Sequence, residues 1–221
     1  MDSDEKFQAH LRKKEKYYAR KGYSLGIDKV VFVDPFFFLV DRRKGVKLED
    51  SEQGLFDFKN QLEACAESCD LESEILFPKT MSSSDVHKYN DMALMNSWVG
   101  ERLAHDGENV EMIPLETEYT TELANEYNTD YFCYTGAFTS KQKRSYIGGV
   151  IFGSIIIPYL LPFAIARAFV PKHVTNYYYL LYNVRTGQSV WTTEREFNLK
   201  GSSMGISSII YDTLYQTKKS R

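Results

Sequence analysis

Two stretches near the end of the chain, Asn176-Tyr177-Tyr178-Tyr179-Leu180-Leu181-Tyr182-Asn183-Val184 and Ser189-Val190-Trp191-Thr192-Thr193-Glu194-Arg195-Glu196-Phe197, decide the fold class. Both are rich in aromatic and β-branched residues, which suit a pleated, half-buried surface. Arg185-Thr186-Gly187-Gln188 joins them, and a glycine between two such runs is a hairpin signal. The pair is therefore expected to be antiparallel. Upstream, strands and helices alternate, which favours helices packed on a sheet. The hairpin then makes that sheet mixed.

Working outward, Lys29 to Val40 reads as a β run interrupted by Asp34-Pro35. Proline cannot donate to a ladder, so the strand is expected to bulge, bend or lie at an edge there. Asp41 to Gly45 is a charged turn. Leu48 to Cys69 carries Leu55, Phe58, Leu62, Cys65, Ala66 and Cys69 at helical spacing. Glu74 to Phe77 is a short strand, and Ser82-Ser83-Ser84-Asp85 is an N-cap cluster for a helix running to about Ala104. Glu116 to Tyr127 is a further helix, Thr129 to Thr139 a strand, and Ser203 to Gln216 a closing helix. Residues 1–26 are expected to form a polar helical arm or linker, and 27–221 a single mixed α/β domain. The class is thus α/β (α+β): a mixed central sheet flanked by helices, with an apolar helical-hairpin insertion before the C-terminal hairpin and helix.

Composition supports a packed core: 43% of the 221 residues are hydrophobic, with 16 Tyr and 14 Phe. This is not a disordered composition. A net charge of −3 gives no general pull toward nucleic acid. Local basic runs, in the first two dozen residues and at Lys218, Lys219 and Arg221, are read as solvated faces. Three cysteines exclude a fully paired disulfide framework in a monomer. Cys65 and Cys69 share a helix face, but His10, His87, His105 and His173 are scattered without ligand spacing, so neither metal nor cofactor is expected. The thiols read as small core residues. The N-terminal stretch is charged, without a secretory signal, so the expectation is a cytoplasmic chain or a piece of a longer exported one.

The segment from Ser145 to Ala166 contains no charged residue. The insertion as a whole spans 145–170. Lys143 and Arg144 precede the uncharged run, and Arg167 and Lys172 follow it. Its length and apolarity meet the criterion for a transmembrane helix. Pro158 and Pro162 would break backbone hydrogen bonds in its middle. Basic flanks at both ends assign no direction. A single crossing would also separate the strand before it from the hairpin after it. A membrane role therefore calls for a re-entrant or interfacial hairpin bending at the prolines. Burial within the domain and an oligomer interface are the alternatives, and Gly148, Gly149 and Gly153 permit close helix contact under each. The expected contact residues are Ile151, Ile155, Ile156, Pro158, Leu160, Leu161, Pro162 and Phe163, with Lys143, Arg144, Arg167 and Lys172 as a basic collar snorkelling toward phosphates.

No HExxH, Walker A or GxGxxG pattern occurs. Glu116/Glu118 and Glu122/Glu126 sit at solvated spacings on a helix. Asp34 is explained by turn chemistry, and Cys133 by a core position. Tyr177, Tyr178 and Tyr179 lack the accompanying basic residues that RNA binding would call for. The expected role is non-catalytic association, with a protein partner, with a second copy or with a membrane surface, and without nucleic acid. A soluble regulatory or ligand-binding module, with the insertion as core, is the alternative.

From about Ser84 to Gln216 the chain resembles the α/β domain of the curli secretion-channel family (CsgG-like) and the amino-terminal domain of TolB. The resemblance rests on Asn128-Thr129-Asp130-Tyr131-Phe132-Cys133-Tyr134-Thr135-Gly136, followed by an insertion and then by Tyr178-Tyr179-Leu180-Leu181-Tyr182-Asn183-Val184-Arg185-Thr186-Gly187-Gln188-Ser189-Val190-Trp191. In the secretion channels the insertion at this place enters the membrane. Here it is continuously apolar with two prolines rather than alternating, and the lipid-anchoring cysteine is missing, so pore formation does not carry over. The chain also looks somewhat like tail domains of envelope-associated, metallopeptidase-like multidomain proteins; no protease residues accompany that likeness.

Overall fold

The break at Asp34-Pro35 organises the sheet. In a computed structural model of the chain, residues 25–41, 47–49, 52–104, 117–141, 173–197 and 203–218 are described. Strands β1 (Lys29–Val33) and β2 (Phe36–Asp41) run end to end, both parallel to one edge of the long strand β5 (Tyr131–Lys141). Phe32 pairs with Cys133 and Phe36 with Gly136, so four steps on one strand match three on the other. That extra residue is a β-bulge, and Asp34 absorbs it at φ 44°. The bulge also switches faces: without it Phe37 would follow the alternation of Val33, but it packs on the opposite side, against Phe58.

The remaining strands complete a seven-stranded mixed sheet among the described residues. Strand β4 (Glu72–Leu76) is parallel to β1, while β3 (Lys47–Glu49) is antiparallel to β2. Strand β6 (His173–Asn183) pairs antiparallel along the whole of β5, and β7 (Gln188–Phe197) pairs with β6. The hairpin turn closes through Gly187 at φ 65°, where a side chain would be strained. Asn183 Oδ1 accepts from the Thr186 amide at 3.1 Å and stiffens the turn.

Strand ends shift by one to three residues from the sequence reading, and the start of the first described helix shifts further. Helix α1 is Glu52–Ser68 rather than starting at Leu48, because Lys47–Glu49 is taken by the ladder to β2. Partner strands decide such short charged segments, and local periodicity does not report them. Helices α2 (Val86–Ala104), α3 (Thr117–Glu126) and α4 (Ser203–Thr217) fall where expected. Before α2, Asp85 Oδ2 accepts from both the amide and the hydroxyl of Ser82, at 2.8 and 2.7 Å, which holds its carboxyl below the usual range.

The helices cover both faces. On one side, Phe58, Leu62, Cys65 and Ala66 of α1 and Ile206, Ile210, Tyr211 and Leu214 of α4 bury Val30, Phe32, Cys133, Tyr177 and Tyr179. On the other, Met92, Met95, Trp98 and Val99 of α2 and Leu123 and Ala124 of α3 bury Val31, Val33, Phe132 and Tyr182. Each large side chain so buried contributes about 1.5–3 kcal/mol. The chain ahead of β1 is tied to the last helix: the Leu25 and Ile27 amides donate to Gln216 and Thr217 carbonyls at 3.1 and 3.2 Å.

Candidate functional site

The insertion is rooted at one point of the sheet. Lys141, the last residue of β5, is the register partner of His173, the first of β6. One rung further in, Ser140 faces Val174, and on the next the buried hydroxyls of Thr139 and Thr175 hydrogen bond at 2.9 Å. The ladder is thus intact to its end, and residues 142–172 leave and return across a single strand spacing of about 4.8 Å. The expected contact residues and their basic collar, from Lys143 to Lys172, lie outside the described residues. No described helix is long and apolar enough to cross a membrane.

Three to five rungs in from this root, the sheet face toward α2 and α3 is aromatic. Phe36 and Phe38 of β2 lie 5.7 Å apart between ring centroids, and Phe36 lies 6.4 Å from Tyr178 of β6. Phe38 is 44% exposed, unusual for a phenylalanine on a sheet. Two polar atoms on rungs either side of the Thr139–Thr175 pair, Ser140 Oγ and Asn176 Oδ1, are buried without a hydrogen-bond partner among the described residues.

A second grouping joins the two helices over that face. His87 and Asp91 are one turn apart near the start of α2, and Glu126 ends α3. His87 Nδ1 lies 3.3 Å from Asp91 Oδ2, and Nε2 lies 3.3 Å from Glu126 Oε2. The Tyr127 hydroxyl donates to Asp91 Oδ2 at 3.0 Å. Burial first, then the Asp91 charge, raises the Tyr127 hydroxyl well above its ordinary value, so it stays a neutral donor. Sequence spacing had left His87 among scattered histidines; only the helix pairing brings Glu126 to it.

Asp34 is half-buried at the bulge; its amide donates to the Leu76 carbonyl at 2.9 Å and its carboxyl accepts from Asn96 Nδ2 at 3.2 Å. Burial raises its carboxyl pKa, while the Asn96 bond opposes the shift. Cys65, Cys69 and Cys133 are all buried thiols. Burial pushes the Cys65 thiol up to about 12 and raises Cys133 as well, which disfavours the thiolate that a nucleophile needs. Glu122 is exposed on α3 and is not brought to the His87 grouping, whereas its neighbour one turn on, Glu126, is.

At the other end of β5, about 33 Å from Lys141, an open polar groove of ≈ 440 Å³ is lined by Asp28, Lys29, Asn128, Thr129 and Arg185. Arg185 spans its rim, donating to Asp130 Oδ1 at 2.6 Å and to Asn125 Oδ1 at 3.1 Å. These bonds account for the Arg185 fork, and the groove is shallow.

No family model and no curated protein matches the chain. Among solved structures, a PelC dodecamer from Paraburkholderia phytofirmans is similar at TM-score 0.41 and 9% identity, over 88% of this chain and 92% of that one. The lipoprotein GNA1162 from Neisseria meningitidis is similar at TM-score 0.32 and 8% identity, over 78% of this chain and 81% of that one.

Proposed function

We propose that the chain is a non-catalytic association domain that meets a membrane or envelope surface through its apolar insertion, with self-association or a protein partner built on the same region. The observation that supports this reading is the pairing of Lys141 with His173. Both ends of the uncharged stretch stand on one side of whatever it enters, so a bilayer would be met by a segment that turns back and not by a single span. The half-exposed Phe38, three rungs from the root, with Phe36 and Tyr178 two rungs further in, suits a boundary between apolar and wet surroundings. In this reading Lys143, Arg144, Arg167 and Lys172 form the collar that meets phosphates. The kinship with the CsgG-like and TolB amino-terminal domains belongs to the same proposal, resting on the order of strand, insertion, strand, turn and strand.

Fractionation tests it. Cells expressing the full chain are compared with cells expressing a variant whose 146–170 is a short Gly/Ser loop, through a high-salt wash and a detergent extraction. The reading expects the parent to need detergent and the variant to be soluble and folded. A soluble parent whose variant unfolds would instead make the insertion part of the core, and the membrane reading would fail.

A further inference from the structure

His87, Asp91 and Glu126 each offer one ligand atom, and these atoms all lie within 4.8 Å of one another. Among the described residues, Lys88 is the lysine whose charge reaches Glu126. Lys88, next in sequence to His87, is engaged by Glu74 at 2.6 Å. Asp91 is 1% exposed, and what holds it is hydroxyl: Tyr127 at 3.0 Å, and Tyr119 by a second side-chain hydrogen bond. A buried carboxylate fixed by neutral donors, facing an imidazole and a second carboxylate, is an arrangement that a cation completes.

We propose that His87, Asp91 and Glu126 form a divalent transition-metal site of the zinc class, which clamps the start of α2 to the end of α3. The donor set selects the metal class. One imidazole nitrogen with two carboxylate oxygens suits zinc and its first-row neighbours, whereas calcium and magnesium prefer all-oxygen shells. Bonds of about 2.0–2.2 Å require ligand atoms roughly 3.3 Å apart, so the cluster must tighten on binding. It has the freedom to do so. The His87 and Glu126 side chains are 71% and 36% exposed and can move, while Asp91, at 1%, is the fixed point. The two tyrosine hydroxyls orient that fixed carboxylate, and water fills the remaining coordination. The metal would join two helices whose link, residues 105–116, lies outside the described residues. The clamp is independent of the insertion, so its failure leaves the membrane reading untouched.

The test uses the full chain, in detergent where it needs it, stripped with chelator and then titrated with Zn²⁺. Calorimetry and a thermal melt are the readouts, with Mg²⁺ and Ca²⁺ as controls. The site predicts saturable one-to-one binding and a Tm rise of roughly 5–10 °C at a hundredfold excess over Kd. Mg²⁺ and Ca²⁺ should give neither. His87→Ala with Glu126→Gln should remove both binding and the Tm shift while leaving the far-ultraviolet circular dichroism intact, since both residues are on the surface. Absence of zinc binding would leave an ion pair only and overturn the proposal. A Tm shift that survives the double substitution would place the metal elsewhere and overturn it equally.

Discussion

Phe36 of β2 covers Gly136 of β5 so closely that a Cβ at position 136 would lie 2.5 Å from the phenylalanine ring. The two are register partners in the parallel ladder, so the ring cannot swing away without losing its stack with Tyr178. Gly136→Ala should therefore destabilise the domain by about 1–3 kcal/mol through overpacking, read as a lower urea midpoint at unchanged slope. The paired change Gly136→Ala with Phe36→Leu should recover part of the loss. A neutral Gly136→Ala would show that the ring has room to move.

The bulge carries a pH signature. Burial raises the Asp34 carboxyl above its ordinary value, so the folded chain keeps this proton at pH values where the unfolded chain has released it. The sign follows: stability falls as pH rises from the ordinary carboxylate range through the folded value. Asp34→Asn should remove that fall, and the variant should be at least as stable as the parent at pH 7. Asparagine tolerates the positive φ at this position, and it can still accept the Asn96 bond. Melts at intervals from pH 4 to pH 7 check this. A variant that keeps the parental slope would assign the pH dependence to another group.

The Tyr134 hydroxyl is buried without a partner among the described residues, and its ring packs edge-on against Tyr182 at 6.2 Å. Tyr134→Phe keeps the ring contact and removes the unmet hydroxyl. It should be neutral or stabilising by up to about 1 kcal/mol, in contrast to most core substitutions. A clear loss of stability in denaturant unfolding would mean that the hydroxyl has a partner in solution.

Thiol chemistry gives a direct reading of the core. Cys65 faces the Ser207 carbonyl at 3.5 Å and Cys69 the Tyr211 carbonyl at 3.9 Å, both beneath α4. With Cys65 pushed up to about 12 and Cys133 raised by burial, a disulfide reagent at pH 8 should find almost no thiolate in the native protein. All three should react at once in denaturant. Fast native labelling of Cys65 or Cys69 would show that α4 lifts from α1.

How legible this was in the sequence depended on how local each signal is. The strand break was readable because proline at 35 acts on its own neighbours, and the C-terminal hairpin because Gly187 sits between two aromatic runs. The short strand Lys47–Glu49 was not, since three charged-flanked residues become a strand only by pairing with β2. The face switch of Phe37 was equally hidden, because it follows from the register against β5. The His87 grouping shows the same limit. His87 and Asp91 are an ordinary i, i+4 pair on paper, and Glu126 arrives from a different helix.

The last prediction concerns the root itself. Because Lys141 and His173 are direct partners at the end of an unbroken antiparallel ladder, a two-residue turn is the shortest link that fits between them. Replacing residues 142–172 by Asn-Gly should therefore leave β5 and β6 in register. The shortened chain should melt within a few degrees of the parent, because every described residue of the two buried clusters remains. Backbone amide exchange along Thr135 to Ser140 reads the outcome: retained protection means that the sheet folds without the insertion, as an anchoring role requires. Lost protection there, with protection kept in β1 and β4, would mean that the apolar segment holds this end of the sheet together, and its first task would then be internal.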